Sequence, residues 1–418
     1  MKITVLGGGH CQLNMIKRLK EEGHYLVLVD YLTDCPGLSY VDEHYMISTF
    51  DHEKVTGIIR ETKSEAIITM GTDQPVLTAS IAAKRNGIPF YIDSDTALKV
   101  TNKRIMKTLF MEHGIPTQPF ALIGNDFRNH EIEAIRFPAV LKPVDSQGQR
   151  GIFKVESLDE IRQNIGETLG YSREDKALLE EFYPNDEITV NGWAREGKAH
   201  IISVVDRVTM DNGSRIGICI AHNHPSVHLE RYEKEIGSIT QQIVDAFGIR
   251  NGPLYFQYLI GNRGISVNEI AMRIGGAYED ITIPLISGVD ILGMVCDAVM
   301  GLKVNEQWTG SYDFTKDGRF ISTQMFFLEK GEIETFTPLE KFTELSYIEG
   351  AYYNFKKGTR YAGIENATAR AGYFIVSGRD YEDMVSNIDS AYDNLEIIDT
   401  HGNNILKKYK DYPNKYLP

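Results

Sequence analysis

The chain has 418 residues, of which 42% are hydrophobic and 24% charged, and this composition indicates a globular protein rather than a disordered or fibrous one. Its length exceeds that of one compact core and predicts two or three domains. The 44 basic and 58 acidic residues leave a formal net charge of −14, which argues against nucleic acid as a partner.

Three features favour a cytoplasmic protein without a membrane span. The first residues, MKITVLGGGH, lead directly into a strand pattern, so we expect no secretion signal. The four cysteines form no CxxC pair, which argues against disulfides or a zinc site and favours a reducing compartment. The longest apolar stretch, residues 284–302, contains two aspartates and predicts a buried helix.

Strand and helix patterns alternate through the first 94 residues. Short apolar runs predict strands, and apolar residues three or four positions apart predict the helices between them. The predicted strands are Ile3–Leu6, Tyr25–Asp30 and Ile67–Met70, and the predicted helices are Cys11–Glu22 and Pro75–Arg85. This alternation is typical of a doubly wound parallel sheet, and it predicts a Rossmann-like α/β domain over residues 1–94.

Strand patterns dominate the middle of the chain. A helix over NKRIMKTLFMEHG is followed by strands at Pro138–Lys142, Ile152–Val155, Ala177–Phe182, Glu187–Ala194, His200–Arg207, Gly252–Ile260 and Gly264–Ile270. Helices are predicted at Val227–Phe247 and Val289–Leu302, which together with the strands indicates an α+β unit with antiparallel sheets. After residue 303 the only clear pattern is a strand–helix–strand unit at Gly372–Ser377, Asp380–Tyr392 and Leu395–Ile398.

Three glycines, Gly7-Gly8-Gly9, follow the first strand. The dinucleotide-binding fingerprint G-x-G-x-x-G requires a further glycine where this chain has Gln12, so the pattern does not support an NAD site. Two interpretations stay open: a plain tight turn, or a loop whose Gly8 and Gly9 approach an anionic substrate at the start of the helix.

Residues 137–155, FPAVLKPVDSQGQRGIFKV, predict a phosphate-binding loop between two strands. Lys142 ends the first strand, where it would present a fixed positive charge, although by itself it also fits an exposed strand-end lysine. Gly148 and Gly151 allow backbone N–H groups to close around phosphates, and further donors come from the side chains of Ser146, Gln147 and Arg150.

Residues 178–190, LLEEFYPNDEITV, predict a strand, a turn and a second strand. The turn can offer backbone N–H and C=O groups to a flat heterocycle, and Glu187 can accept hydrogen bonds from ribose hydroxyls. The segment by itself equally fits an ordinary β-turn with surface acids.

Residues 253–276 predict a β-hairpin around Gly261-Asn262-Arg263-Gly264. Gln257 and Glu269 lie about five residues on either side of this turn, so they can face each other across the hairpin. Their side-chain oxygens are the ligands that Mg²⁺ prefers, with water and phosphate oxygens completing the shell. Arg273 lies an even number of residues beyond Glu269 and shares its face as long as the strand lasts.

In this order and spacing the segments resemble the ATP-grasp superfamily over roughly residues 1–302. The resemblance implies that Lys103 and Lys142 contact the ATP phosphates, that Glu187 binds the ribose, and that the adenine lies against Glu180, Glu181, Phe182 and Tyr183. It also implies an ATP-grasp domain over residues 95–302, with a small lid subdomain at about 115–183. A C-terminal α+β domain, 303–418, would then complete the substrate pocket.

The same resemblance assigns Mg²⁺, with Mn²⁺ as a substitute, to Gln257 and Glu269. The usual signature at this point is E-x-N-x-R, and here Ala271 occupies the Asn position. One expected ligand is therefore missing, which leaves the number of bound metal ions open, and Asn268 is the candidate replacement.

The implied reaction is an ADP-forming ligation. A substrate carboxylate attacks the γ-phosphate, and the acyl phosphate is then captured by an amine. Lys142 and Arg273 are the predicted catalytic residues, with Arg273 on the acyl phosphate or the carboxylate, while the loop at Gly148–Gly151 closes over the nucleotide.

The identity of the substrates is less well defined by the sequence. We predict that the substrate pocket includes Gly8, Gly9, Arg207, His222, Arg273, Gly275 and Gly276. A small carboxylate, preferably an amino acid, is the first hypothesis, and a purine ribotide of the carboxyaminoimidazole or glycinamide type is the alternative. A non-catalytic nucleotide-binding scaffold is a third hypothesis, which only Ala271 favours. The expected partners are small-molecule carboxylates and amines, with no nucleic acid or membrane, and the expected assembly is a homodimer.

Overall fold

The N-terminal part of the protein is a four-stranded parallel sheet covered by helices on both faces. The computed structural model describes residues 1–146, 148–212, 215–316 and 318–408. The elements are β1 (Lys2–Leu6), α1 (Leu13–Glu21), β2 (Tyr25–Val29), β3 (Glu43–Tyr45), α2 (His52–Thr62), β4 (Ala66–Ile68) and α3 (Gln74–Asn86). The strands pair in the order β3-β2-β1-β4, which confirms the predicted doubly wound sheet.

Alternation along the strands explains the two layers of helices. Successive side chains of a strand point to opposite faces, so Ile3 and Val5 pack with α1 while Val27 and Val29 pack against α2 and α3. Helix α2 begins at Asp51, whose carboxylate accepts a hydrogen bond of 3.1 Å from the Lys54 backbone N–H, and such a cap satisfies an otherwise free donor of the first turn.

A small antiparallel sheet follows, which we call the lid sheet (β5 to β8 with helix α6). The elements of this region are α4 (Ser94–Thr101), α5 (Lys103–Glu112), β5 (Phe120–Ile123), β6 (Ala139–Pro143), β7 (Phe153–Val155), α6 (Leu158–Gly170) and β8 (Ala177–Glu181). The strands pair in the order β5-β8-β6-β7, and α6 closes a separate small core over one face.

The central sheet begins after the lid sheet. Its first strands and the helices packed on it are β9 (Asp186–Arg195), β10 (Lys198–Asn212), β11 (Arg215–His224), α7 (Leu229–Phe247), β12 (Gly252–Gly261), β13 (Gly264–Ala271), α8 (Glu279–Ser287) and α9 (Ile291–Val299). All the pairings in the run β13-β12-β9-β10-β11 are antiparallel, as the strand patterns predicted.

The C-terminal segment continues the same central sheet. Its elements are β14 (Phe320–Leu328), β15 (Gly331–Phe336), α10 (Leu339–Phe342), β16 (Ile348–Tyr353), β17 (Arg360–Tyr361), β18 (Gly372–Gly378), α11 (Tyr381–Asn394), β19 (Ile397–Asp399) and β20 (Leu406–Lys407). Strand β14 pairs with β11 and so extends the central sheet to nine described strands. The order in this sheet is β13-β12-β9-β10-β11-β14-β18-β16, with β20 beside β14. The predicted domain boundaries at 94 and 302 stay predictions.

Two sequence predictions about elements were incomplete. The predicted helix Val289–Leu302 is shorter, at Ile291–Val299, and α8 precedes it across a sharp bend. The elements that the sequence analysis did not predict also include β3, β5, β11, β14 to β17, β20, α2, α4, α6 and α10. Strand β14, for example, is buried on both faces and therefore shows no alternation. No single helix among the described residues is long and apolar enough to cross a membrane. The α8–α9 pair passes that test only jointly, with a bend of 119°.

Two glycines bring the N-terminal sheet and the central sheet into backbone contact. A Cβ on Gly276 would lie 2.6 Å from the Gly71 carbonyl oxygen, and the Gly71 N–H donates a 3.1 Å hydrogen bond to the carbonyl of Ile274. A side chain at position 276 would force the two backbones apart, and one at position 71 would meet the Cys11 side chain. This contact therefore fixes how the N-terminal loops approach the end of β13.

We expect Gly276→Ala to lower the free energy of unfolding by about 1–3 kcal/mol, the usual cost of overpacking a rigid contact. Urea denaturation measures the change. The control is Gly57→Ala, because Gly57 is exposed within α2 and a Cβ there meets nothing within 4 Å. In that control the free energy of unfolding should rise by roughly 0.5–1 kcal/mol. Equal effects of the two substitutions would contradict the close contact at Gly276.

Candidate active site

An open cleft, of about 980 Å³ with the solvent at its mouth included, lies between the lid sheet and the β12–β13 hairpin. Most of the residues predicted to bind nucleotide or metal line it: Lys103, Lys142, Glu180, Glu181, Phe182, Tyr183, Glu187, Gln257 and Glu269. These side chains come from α5, β6, β8, β9, β12 and β13, so the fold assembles at one place residues that are far apart in the chain. Their individual roles toward nucleotide and metal stay predictions.

The predicted hairpin places the two candidate metal ligands opposite each other. Gln257 and Glu269 are register partners, as predicted. The register shifts by one residue at this point, because Tyr258 already pairs with Val267, and Asn268 is therefore the extra residue of a β-bulge. The bulge turns Asn268 toward the lid sheet, where its Oδ1 accepts a hydrogen bond of 3.3 Å from the Lys142 ammonium.

The Lys103 ammonium links α5 to this hairpin. Its Nζ donates a 2.6 Å hydrogen bond to Glu269 Oε1 and a 3.0 Å hydrogen bond to the Ser146 backbone carbonyl. Burial raises the pKa of Glu269, but attraction to Lys103 outweighs burial and holds that pKa below its ordinary value. The Glu269 carboxylate is therefore ionised, as a metal ligand must be.

Below the cleft a single carboxylate, that of Glu180, joins two buried lysines. Lys142 and Lys107 both form ion pairs with Glu180, and all three side chains are less than 10% exposed. Burial lowers the pKa of Lys107 to about 8, although the carboxylate opposes this shift. Burial raises the pKa of Glu180, but the two ammonium groups together bring it below its ordinary value. The cluster carries an excess positive charge at the wall of the cleft.

This arrangement corrects two interpretations from the sequence. The acids at 180 and 181 are not surface residues, since they are 4% and 9% exposed. Lys142 is not an exposed strand-end lysine either, because it is buried against Glu180. The adjacent Phe182 backbone N–H is occupied by the Pro138 carbonyl at 2.9 Å, so it is not free for an adenine ring.

The far end of the cleft carries Tyr183 and Glu187. The Tyr183 hydroxyl donates to the Gly264 carbonyl at 2.8 Å and accepts from the Arg263 backbone N–H at 2.9 Å, which ties the segment after β8 to the hairpin turn. Glu187 lines the cleft and forms an ion pair with Arg207. Arg207 is thereby held against the predicted ribose acid, and its predicted substrate contact stays a prediction.

The predicted phosphate loop is formed only in part by the residues that the structure describes. Gly148 and Gly151 have φ angles of +71° and +66°, a conformation that glycine adopts without strain. Gln149, which the sequence analysis did not select, lines the cleft and lies within 4 Å of the Cβ position of Gly217. Arg150 is exposed, and Gln147 lies outside the described residues.

Arg273 extends from the end of β13 toward the N-terminal sheet. The strand ends at Ala271, so the predicted alternation does not reach this residue. Its Nε donates a 2.7 Å hydrogen bond to Asp73 Oδ1, and its guanidinium lies 4.4 Å from the Tyr255 ring centroid. Burial lowers the pKa of Arg273, yet Asp73 and Tyr255 outweigh burial and raise it, so the group stays charged.

The predicted substrate glycines have packing roles in the structure. A Cβ on Gly8 would lie 2.6 Å from Cys35 Sγ, and one on Gly275 would lie 2.2 Å from the Glu279 carboxyl carbon. Gly8 is also buried, which supports the tight-turn interpretation of the first loop. Gly9 is partly exposed, and its predicted substrate contact stays a prediction.

His222 pairs with a buried carboxylate from α8. Its Nδ1 lies 3.3 Å from Glu279 Oε1, and both side chains are at most 5% exposed. Burial, with Arg207 and Arg370 nearby, lowers the pKa of His222 well below its ordinary value. The ring is therefore neutral and can serve as a hydrogen-bonding group rather than a cation.

Four functional candidates were missed by sequence reasoning. They are Lys107, Asp73, Glu279 and Arg370. Lys107 had a usable signal, because it lies four residues after Lys103 and therefore on the same face of α5. The others had none, since they reach the site only through the packing of α3, α8 and the C-terminal segment.

Comparison with known proteins matches two family models to this chain. Residues 135–280 match the ATP-grasp domain, and residues 324–399 match the L-amino acid ligase C-terminal domain 2. The first match contains the lid sheet from β6 onward, Glu180 with Lys142, and the hairpin. The second runs from within β14 to β19, a segment that the sequence analysis left largely unassigned.

Curated relatives match the chain at low sequence identity. The chain is 21% identical over 373 residues to the C-terminal section of the carbamoyl phosphate synthase large chain of Aquifex aeolicus, covering 84% of this chain and 68% of that one. It is 24% identical over 196 residues to the formate-dependent phosphoribosylglycinamide formyltransferase of Haemophilus ducreyi, covering 45% of this chain and 49% of that relative. The chain thus spans about half the length of the second relative.

Solved structures extend the likeness over the whole chain. The L-amino acid ligase of Bacillus licheniformis superposes with a TM-score of 0.80 at 16% identity, covering 96% of this chain and 98% of that one. Other structures of the same fold were solved with ADP or MgADP bound. The chain therefore contains an ATP-grasp domain and an L-amino acid ligase C-terminal domain, and it shares the overall fold of these solved structures.

Proposed function

We propose that this protein is an ADP-forming ligase that activates a small carboxylate, an amino acid by preference, and joins it to an amine. The observation that carries this proposal is the convergence of Lys103, Lys142 and the Gln257–Glu269 pair on one cleft. Phosphoryl transfer requires fixed positive charge around the phosphates and carboxylate or amide oxygens for a metal ion. The cleft has both, and the match of residues 324–399 to an L-amino acid ligase domain favours an amino acid.

Each residue would perform a distinct task in the first step. A carboxylate oxygen of the substrate attacks the γ-phosphorus, the bond from that phosphorus to the β-phosphate oxygen breaks, and ADP leaves. Lys103 and Lys142 neutralise the phosphate oxygens, and Arg273 orients the incoming carboxylate beside them. Gln257 and Glu269 fit a hard divalent ion, Mg²⁺ or Mn²⁺, and such an ion supplies charge neutralisation at the phosphates when bound.

The second step forms the new bond. The amine nitrogen attacks the carbonyl carbon of the acyl phosphate, the bond from that carbon to the phosphate oxygen breaks, and inorganic phosphate leaves as the nitrogen loses a proton. Exclusion of water is essential, because water would hydrolyse the same intermediate. The glycines of the loop at residues 148–151 allow the backbone to close over the cleft.

The purine-ribotide alternative rests on one specific observation, the 24% identity to a phosphoribosylglycinamide formyltransferase. A ribotide carries a 5-phosphate, so it requires a cationic subsite outside the nucleotide cleft. A scaffold without catalysis is the third hypothesis, which the loss of Asn at position 271 favours. We expect the ligase to act in the cytoplasm, as a homodimer, on free small molecules.

The test measures ADP and phosphate release by the purified protein with Mg-ATP. Pooled L-amino acids, pooled hydroxy and dicarboxylic acids, and purine ribotides with bicarbonate are supplied in separate reactions. We expect the amino-acid pool to stimulate ADP release, and hydroxylamine to trap the acyl phosphate as a hydroxamate. Stimulation by ribotides alone would favour the alternative. ATP binding without turnover in any pool would favour the scaffold.

A further inference from the structure

Three buried polar atoms belong to residues that contact one another in turn, His10 with Asn354 and Asn354 with Arg370, where the N-terminal loop and the C-terminal segment come together. They are Arg370 Nε, Asn354 Oδ1 and His10 Nδ1, and none has a hydrogen-bond partner among the residues that the structure describes. Buried polar atoms in folded proteins are nearly always paired, so three neighbouring exceptions indicate a missing ligand or water.

The three side chains are held in place by their remaining polar atoms. Arg370 Nη1 donates a 2.8 Å hydrogen bond to the Gly276 carbonyl, and Asn354 Nδ2 donates to the Arg370 carbonyl at 3.0 Å and to the Tyr278 hydroxyl at 3.3 Å. The His10 ring lies 6.3 Å from the Tyr352 ring and also interacts with the Asn354 backbone. The free atoms are therefore presented by fixed groups rather than by mobile side chains.

The free atoms have both donor and acceptor character. Arg370 offers a charged N–H, which suits a carboxylate. Asn354 Oδ1 accepts hydrogen bonds. Burial lowers the pKa of His10, so its ring is neutral and one of its nitrogens accepts as well. Two acceptors beside one cationic donor match the ammonium and carboxylate groups of an α-amino acid.

We propose that Arg370, Asn354 and His10 form the subsite for the acceptor amino acid, whose free α-carboxylate binds Arg370. This inference rests on the proposed ligase function. Under the proposed function Arg273 orients the carboxylate that meets the γ-phosphate. A carboxylate on Arg370, which contacts Gly276 on the other side of this turn, is therefore a second one. It belongs to the amine substrate, and the product is a dipeptide whose free carboxyl end faces the C-terminal segment.

The location of this subsite is consistent with its role. Arg370 contacts the backbone at Gly276, three residues after Arg273, so the two guanidinium groups flank the Gly275-Gly276 turn. Arg273 would bind the carboxylate that is activated, and Arg370 the carboxylate that stays free in the product. The subsite also explains why the C-terminal segment belongs to the catalytic unit, because two of its three groups come from that segment.

The experiment separates activation from acceptor binding. Hydroxylamine, which has no carboxylate, replaces the acceptor in one assay with pooled L-amino acids as donors, and hydroxamate formation reports activation alone. In the second assay, ADP release at saturating donor is compared between pooled L-amino acids and the corresponding amino-acid amides as acceptors. We expect the wild-type protein to prefer the free acids roughly 10–100-fold in kcat/KM, the range for one hydrogen bond to a charged group.

Arg370→Gln should reduce the preference for free acids over amides to within about threefold. Hydroxamate formation should stay close to the wild-type rate. Arg370→Lys keeps the charge but not the planar guanidinium group with its N–H donors, and it should restore part of the preference for free acids. Arg379→Gln, at an exposed arginine, is the control, and thermal denaturation establishes that each variant is folded.

Three outcomes would overturn this assignment. An unchanged acid-to-amide preference in Arg370→Gln would leave Arg370 without a role in acceptor binding. A folded Arg370→Gln variant that forms no hydroxamate would assign Arg370 to the activated donor instead. Absence of hydroxamate in the wild-type protein with every donor would overturn the ligase function itself, and the subsite with it.

Discussion

Replacing Glu269 by glutamine is expected to lower ADP-forming turnover at least about 100-fold. Loss of metal-ion assistance at a phosphoryl group costs several kcal/mol of transition-state stabilisation, and each 1.36 kcal/mol is a factor of ten in rate. Glutamine keeps the size of the side chain and can still accept the hydrogen bond that Lys103 donates to Glu269 in the structure. It removes the negative charge, and with it most of the attraction for a divalent ion.

Steady-state ADP release at increasing Mg²⁺ concentration measures this effect. We expect the Mg²⁺ requirement of Glu269→Gln to shift upward and turnover to recover only in part at high Mg²⁺. Glu233→Gln, an exposed glutamate on α7, is the matched control and should keep wild-type turnover. A folded Glu269→Gln protein with unchanged turnover would remove the metal role of this residue. If neither wild type nor variant turns over while both bind ATP, the scaffold hypothesis gains support.

The second large effect concerns stability rather than catalysis. We expect Glu180→Gln to lower the free energy of unfolding by about 3–5 kcal/mol, because it leaves the Lys107 and Lys142 ammonium groups buried without a counter-charge. Urea denaturation with a spectroscopic probe measures the change. The control is Glu332→Gln, whose arginine partner, Arg360, is 87% exposed, and this variant should leave the unfolding midpoint unchanged.

The pH dependence of this deficit follows from the lysines. The pKa of Lys107 is about 8 in the folded protein and near its ordinary value in the unfolded chain, so the unfolded state binds more protons between these two values. Removing the carboxylate lowers the folded pKa further. The stability deficit of Glu180→Gln should therefore shrink as the pH rises towards 8 and should stay constant above 8, where Lys107 is neutral in both folded proteins. A deficit that does not depend on pH would contradict a buried charge imbalance as its cause.

The β12–β13 hairpin could be predicted from the sequence in part. Its turn residues and strand patterns predicted that Gln257 and Glu269 face each other, and the structure confirms this pairing. The pairing depends on the bulge at Asn268, which the sequence does not reveal. The same bulge directs Asn268, the residue considered as a replacement for the missing Asn, toward Lys142.

The contacts of the Glu180 cluster could not be predicted from the sequence. Two acids at the end of an apolar strand look like surface residues, because the lysines that neutralise them belong to segments separated from them along the chain. Lys142 is on the neighbouring strand, but Lys107 reaches Glu180 only through the packing of α5 beneath the lid sheet. The same holds for Arg370, since nothing in its local sequence relates it to Gly276 or His10. Local patterns predict elements, whereas contacts between distant segments require the fold.

The pairing of β11 with β14 limits how substrate specificity can change by recombination in proteins of this fold. Four residue pairs join the two strands, and the buried Ser322 hydroxyl donates across them to Asn223 Oδ1 at 2.6 Å. An exchanged C-terminal segment would have to match the polar side chains of β11 as well as its backbone. Crossovers at the start of β14 would therefore yield mostly misfolded chimeras. Acceptor specificity in such a protein would change through point substitutions near residues 354 and 370 rather than by exchange of whole segments.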